Sequence, residues 1–341
     1  MVSTIGVGIL GCGNLSRHCH LPRLRQMEGV RVVGVADIQP DRAEAAANEN
    51  GVDFWTTSPD DLLARSGVEV VLVVTSTHTH ADLTVRAAQA GKHVFCEKPM
   101  AATIQDAQRM IEACNTAGVK LGIAQCRRFD NEWLKLRELI REGAIGRPVV
   151  WRVVAAAGGS REPSWFKEAG KGQGTFVDLA VHHMDFARYT FGEADWVFAS
   201  TQEWQPVSTA PDTGTVIIRF RSGDEMTLSW SMGIAPGVTG GHLHDVIGPG
   251  PGEGGAISFP EPMFYRVLNR EPYALAVHCP QGVTRLAEFK RNDMYVDEWM
   301  DFIAAVREDR EPLITGQEGK ASLAIGLAAL ESGKTGQRVK L

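Results

Sequence analysis

The chain has 341 residues, more than one compact core usually holds, so two domains are expected. Its 44% apolar and 22% charged residues match an ordinary soluble globular protein, which sets aside disordered and fibrous classes. The net charge of -6 comes from interspersed acids and bases with no basic stripe, so neither nucleic acid nor an anionic membrane surface is an expected partner. No stretch reaches the ~18 consecutive apolar residues of a membrane span. The start MVSTIGVGIL lacks the pattern of a signal peptide, and the six cysteines show no CxxC pairing, so the chain reads as cytoplasmic with reduced thiols.

From the N-terminus, five short runs are expected as buried parallel strands: IGVGIL, VRVVGVAD from Val30, VEVVLVV from Val68, HVFCEK from His93 and KLGIAQC from Lys120. Between them, ADLTVRAAQAG and TIQDAQRMIEACNTAG place apolar residues at helical spacing and stop at Gly91 and Gly118, as C-capping glycines do. The alternation predicts an α/β class chain whose residues 1–125 form a doubly wound parallel (Rossmann) sheet.

The first strand runs into GCGNLS, the setting a dinucleotide fingerprint needs. Gly11 permits the tight turn and Gly13 lets the backbone approach a pyrophosphate. A helix opening at Asn14 and Leu15 offers amide donors and a favourable dipole. Ser16 stands in place of a third glycine and is still small enough for close packing. Asp37 ends the second strand, twenty-one positions after Ser16. A carboxylate there accepts both ribose hydroxyls and repels a 2'-phosphate. Ile38 and Gln39 follow where an arginine would hold that phosphate, so NAD is preferred to NADP. The plainer reading of Asp37 is a cap or turn residue before Pro40.

Glu97-Lys98-Pro99 follows the fourth expected strand, where open parallel sheets place their ligands. An ammonium there could stabilise an alkoxide. A solvated strand-end lysine is the alternative, and the peptide before Pro99 is a candidate for the cis form.

After Cys126 the texture changes, and residues 126–341 are expected to form an α+β domain with a mainly antiparallel open sheet. A helix over DNEWLKLRELIREG should end at Gly143. DLAVHHMD reads as one helix in which Asp178, His182 and Asp185 share a face and His183 points elsewhere. A carboxylate so placed orients an imidazole, whose ordinary pKa of about 6.5 suits proton transfer near neutrality. Gly172 and Gly174 would let a substrate approach that helix. Two hairpins follow, around Ser222-Gly223-Asp224 and Pro280-Gln281-Gly282. The stretch Gly233 to Gly255 reads as a loop or irregular edge. His242 and His244 in it, with His182 and His183, lack metal-ligand spacing; no metal is expected, and contacts to substrate hydroxyls are the better use of that loop. DEWMDFIAAVRE should bury Trp299, Phe302, Ile303 and Val306 on one face, and a last helix runs from Lys320 to Gly333.

GKHVFCEKPMA, TSTHTHADLTVRAAQAGKHV and GQGTFVDLAVHHMDFARYTFG, with IGRP and the closing EPLITGQEGKASLAIGLAALESGKTGQRV, resemble the glucose-fructose oxidoreductase / inositol dehydrogenase family over nearly the whole chain. The resemblance implies an NAD-dependent dehydrogenase oxidising a secondary hydroxyl of a sugar, inositol or related polyol. It makes Lys98 the catalytic lysine, held by Glu97 and Pro99. His182 becomes the general acid/base, Asp178 its partner or a hydroxyl acceptor, and Asp185 a supporting acid. It places Thr75, His80 and Glu97 near the cofactor, and Arg128, Trp165 and His183 near the substrate; a helix cap for His80, and packing alone for Arg128 and Trp165, are the plainer readings. It also implies a homodimer or homotetramer joined through the open sheet, an interface that Trp151, Trp196 and Trp230 would suit, though a monomeric core would use them equally well. Two other readings stay open: a retained-NAD enzyme with no net redox, such as an epimerase, lyase or sugar-disproportionating enzyme, and a non-catalytic sugar-sensing regulator.

Overall fold

The β-branched runs of the first third become strands because their side chains are covered on both faces, as parallel sheets require. In the computed structural model, which describes residues 4–160, 162, 164–250, 252–259 and 273–341, these are β1 (Ile5–Leu10), β2 (Val30–Ala36), β3 (Trp55–Thr56), β4 (Val70–Val73), β5 (His93–Glu97) and β6 (Leu121–Ala124). All pair in parallel, in the order β3-β2-β1-β4-β5-β6. Every residue of β1 and β4 is buried. The two-residue edge strand β3 was not among the expected strands, because it is too short to show a period. A π-helical turn, Ser16–His20, precedes α1 (Leu21–Leu24). The other crossovers are α2 (Pro40–Asn50), α3 (Pro59–Leu63), α4 (His80–Gln89) and α5 (Ile104–Ala117). Thr103 caps α5 by accepting from Asp106 N at 3.0 Å, and Gly118 ends it at φ 66°.

The chain then enters its second unit with α6 (Asn131–Arg141), β7 (Val150–Gly158), α7 (Thr175–Asp178), α8 (Val181–Phe191), β8 (Ala194–Gln202), β9 (Thr213–Phe220), β10 (Glu225–Ile234), β11 (Leu243–Ile247), β12 (Ala256–Ser258), β13 (Tyr273–His278) and β14 (Thr284–Phe289). It returns to the first unit with α9 (Met294–Arg307), and α10 (Gly316–Thr335) and β15 (Val339–Lys340) close the chain. The second unit's nine-stranded sheet runs β14-β13-β12-β11-β7-β10-β9-β8-β15, antiparallel except for the parallel pair β7/β10. Both expected hairpins form, β9 with β10 and β13 with β14.

One face of this sheet carries Trp151, Ile218, Met226, Trp230, Val246, Ile257 and Val277 into a core shared with Trp133, Met184 and Phe186. Trp151 and Trp230 are therefore 0% and 4% exposed and unavailable to a partner, which selects the core over the interface for both. Sequence alternation shows that a strand has two faces, not which one is covered. The glycine-rich stretch is also more ordered than expected. Its middle is β11, an interior strand between β7 and β12, whose ladder partners override the local glycine signal. Gly333 does not stop the last helix. The helix runs through it, and the missing side chain allows close contact with Thr201.

The two units comprise residues 1–126 with 293–323, and 127–292 with 324–341. A single division at residue 125 leaves out the returning segment, in which Trp299, Phe302 and Ile303 join a cluster with Val7, Ile9, Val35 and Phe95. The periodicity of α9 announces a buried face without saying which core receives it.

Candidate active site

In the first unit, strand order reverses between β1 and β4, the crevice at which doubly wound sheets bind dinucleotides. Gly11 sits there at φ 105°, and a Cβ on it would collide with Val74 O, so only glycine fits the turn. Nothing stands within 4 Å of the Cβ that Gly13 lacks, which leaves its backbone open to a diphosphate. Asn14 is exposed and Leu15 half-buried as the helix opens, while Ser16 is fully buried. Asp37 braces the turn: Cys12 N donates to its Oδ2 at 2.8 Å and Gln39 N to its Oδ1 at 2.9 Å. A carboxylate has about four acceptor sites, so two remain for ribose hydroxyls. The neighbouring Ile38 is 84% exposed. These residues fit an NAD molecule.

Lys98 follows β5 directly and is half-buried, and its peptide bond to Pro99 is cis. Its backbone N donates to Glu97 Oε2 at 3.0 Å, and Glu97 Oε1 lies 2.9 Å from His20 Nε2. Glu97 accepts one bond on each carboxylate oxygen and so holds the turn; at 4% exposed it is set apart from a cofactor by burial rather than by lack of acceptor sites. His80, 1% exposed, is likewise committed to the protein. Its Nδ1 lies 3.0 Å from Pro99 O and its Nε2 3.1 Å from Thr75 O. Burial holds its pKa below the usual value, so a neutral ring donates to one carbonyl at a time. It staples the loop after β4 to the Lys98 turn. Thr75 shares a 2.7 Å hydroxyl contact with Thr79 in the same loop.

In the second unit the expected single helix is broken. Asp178 ends α7 and His182 is the second residue of α8, with Leu179 and Ala180 between them. Ala180 N reaches back five residues to Thr175 O, so ideal four-residue spacing does not apply. Asp178 and His182 are both half-buried, and Trp165 is half-buried on a short 3-10 turn. Gly172 and Gly174 serve packing rather than substrate entry, since side chains there would strike the backbone of Phe166 and Pro211.

Two expected substrate ligands sit in the interior. Arg128, 2% exposed, forms a paired hydrogen bond with Asp185 and lies over the Tyr189 ring. His183, also 2% exposed, is enclosed by Trp133, Trp151, Trp230 and His244, and neither ring nitrogen has a hydrogen-bond partner. Burial pushes its pKa well below the ordinary value. His244 points inward from β11 and stacks on Phe259 at 3.6 Å, so it makes no hydroxyl-binding loop. Sequence reasoning missed a different cluster. Among the described residues, His20, Glu97 and Glu298 bring ligand-type atoms within 4.8 Å of one another, and all three are buried. No local spacing could have signalled it, because the residues come from three distant segments.

A family model described as the oxidoreductase family with an NAD-binding Rossmann fold matches residues 5–125, and the corresponding C-terminal domain model matches residues 133–245. The chain is 31% identical to a myo-inositol 2-dehydrogenase of Thermotoga maritima, covering 98% of each chain. It is 29% identical to an inositol 2-dehydrogenase of Rhizobium meliloti, over 96% of this chain and 97% of that one. A crystal structure of the aldose-aldose oxidoreductase of Caulobacter crescentus, complexed with glycerol, superposes with a TM-score of 0.82 at 25% identity, over 99% of this chain and 100% of that one. With a Rossmann unit whose glycine turn and Asp37 fit NAD, and relatives aligned end to end, the chain belongs to the Gfo/Idh/MocA family of NAD-binding oxidoreductases.

Proposed function

We propose that this protein is an NAD-dependent dehydrogenase acting on a secondary hydroxyl of an inositol, or of a closely related sugar or polyol. The carrying observation is Lys98 at the end of β5, at the carboxyl edge of an NAD-binding sheet, in a chain similar to an inositol 2-dehydrogenase along its whole length. Bound NAD supplies the hydride acceptor. His182 takes the hydroxyl proton on a ring nitrogen, and Asp178 orients that ring or accepts a neighbouring hydroxyl. The Lys98 ammonium stabilises the oxyanion as it forms. The braced Asp37 carboxylate favours NAD over NADP.

A panel of inositols, aldoses, glycosides and uronates, assayed with NAD and NADP at alkaline pH, tests the reading. Ketone product with an equal amount of free NADH is expected for an inositol. Product without free NADH selects transient oxidation by a retained cofactor, the chemistry suggested by the aldose-aldose neighbour. Sugar binding without turnover selects a sensor.

We also read the chain as a cytoplasmic homodimer or homotetramer. Among the described residues, no helix is long and apolar enough to cross a membrane. The outer face of the nine-stranded sheet exposes Val154, Phe198, Leu243 and Leu286, each 37–58% accessible and brought to one side by the strand register. An apolar sheet face of this kind suits a second copy.

A further inference from the structure

Behind the Lys98 turn, the first unit buries a connected set of polar groups. Trp299 Nε1 donates to His20 Nδ1 at 2.9 Å. An indole N–H only donates, so Nδ1 carries the lone pair and the ring proton sits on Nε2, which donates to Glu97 Oε1 at 2.9 Å. The other Glu97 oxygen takes the Lys98 N–H. This tautomer leaves Nε2 without a lone pair for a metal, so His20 and Glu97 belong to a hydrogen-bonded chain, with Glu298 beside it, rather than to a cation site.

Glu298 is the remaining member. It is 2% exposed, and neither carboxylate oxygen has a hydrogen-bond partner. A charge stranded there beside Glu97 would be costly, whereas a neutral acid brings its own donor. Burial first, and the Glu97 charge second, push its pKa well up; Asp293 acts in the same sense and Arg23 in the opposite one. Other titratable groups around the cluster include Cys19, Cys96, Cys126 and Tyr295, none a source of positive charge; burial raises Cys19, Cys96 and Tyr295.

We propose that Glu298 is a positioning residue: as a neutral carboxylic acid buried beside His20 and Glu97, it fixes Glu97 and, through the Glu97–Lys98 hydrogen bond, the turn that presents the lysine. The inference rests on Lys98 being the catalytic lysine. It takes the neutral side chain to be what the cluster tolerates, since an ionised Glu298 would repel the carboxylate that holds the turn.

Glu298→Gln keeps a neutral donor of the same shape, and Glu298→Leu keeps the volume without one. Thermal unfolding of the holoenzyme across pH judges the proton. An acid whose pKa is raised on folding loses stability as pH climbs past its unfolded value of 4.5, and glutamine removes that loss. Glu298→Gln should therefore melt above the wild type at about pH 8, with the gain shrinking toward about pH 5. A uniform loss at every pH, or one equivalent of zinc retained through dialysis by the wild type and lost in Glu298→Gln, would overturn the proposal. For positioning, Glu298→Leu should lower kcat by about threefold or more with little change in KM, and Glu298→Gln should restore it. A smaller fall in a folded Glu298→Leu enzyme, or no rescue by glutamine, counts against it. Lys98→Met is run alongside. If that variant keeps full activity the catalytic assignment fails, while the melting profile still reports on the Glu298 proton.

Discussion

Arg128 grips Asp185 with two parallel hydrogen bonds, Nε to Oδ2 at 2.8 Å and Nη2 to Oδ1 at 2.7 Å, with neither residue more than 2% exposed. The pair ties the segment entering the second unit to α8, less than one turn beyond His182. Removing one partner takes from the other a buried, doubly hydrogen-bonded counter-charge. Asp185→Ala or Arg128→Ala should cost about 3–5 kcal/mol in urea unfolding, while an apolar pair of similar volume at both positions costs much less. A loss below about 1 kcal/mol in the single variants would mean that water already screens the pair.

Lys98→Met and His182→Ala should each lower kcat by about two orders of magnitude, with NAD affinity nearly unchanged. If both side chains act on one hydroxyl, the double variant loses less than the product of the single losses. Strict multiplicativity in steady-state kinetics would argue for separate roles.

Replacing Asp37 removes the ribose acceptor and the brace on the glycine turn together. Asp37→Ala should weaken NAD by about 10- to 100-fold, the scale of losing a charged hydrogen bond. Adding Ile38→Arg should then raise kcat/KM for NADP above that for NAD. An unchanged cofactor ratio would show that Asp37 serves the turn alone.

His183 is neutral in the fold, because burial holds its pKa well below 6.5. The unfolded chain takes up a proton below about pH 6.5 that the native ring refuses, so stability falls with acidification by ~1.4 kcal/mol per pH unit until the folded pKa is reached. His183→Phe should flatten this dependence between about pH 6.5 and pH 5 in parallel chemical denaturations. Parallel acid limbs in the two proteins would assign the loss to other groups.

The exposed apolar face of the nine-stranded sheet is tested by charge. Phe198→Glu with Leu286→Glu should reduce the mass seen by light scattering to that of one chain without unfolding it. An unchanged oligomer would place the contact elsewhere.

Much of this protein could be read locally. The strand-turn-helix around Gly11 and Gly13, the carboxylate ending β2 and the lysine after β5 are all defined by neighbours a few residues away. The DLAVHHMD segment shows where short-range reading stops: four-residue spacing implied one helix, but the chain breaks at Leu179 and Ala180. For Arg128 the residue type fits a pocket or a packing role alike, and the resemblance alone puts His183 near substrate; the packing of the second unit consumes both.

By itself the sequence determined the parallel sheet, the dinucleotide turn, the two hairpins and the helix ends at Gly91, Gly118 and Gly143, because alternation, glycine conformation and capping act between residues close in the chain. The tertiary structure alone decided which face of the nine-stranded sheet is covered, that α9 returns to the first core, and that Trp299, His20, Glu97 and Glu298 meet. Burial and hydrogen-bond partnership across as many as 279 positions depend on how distant segments pack, and no local pattern carries that information.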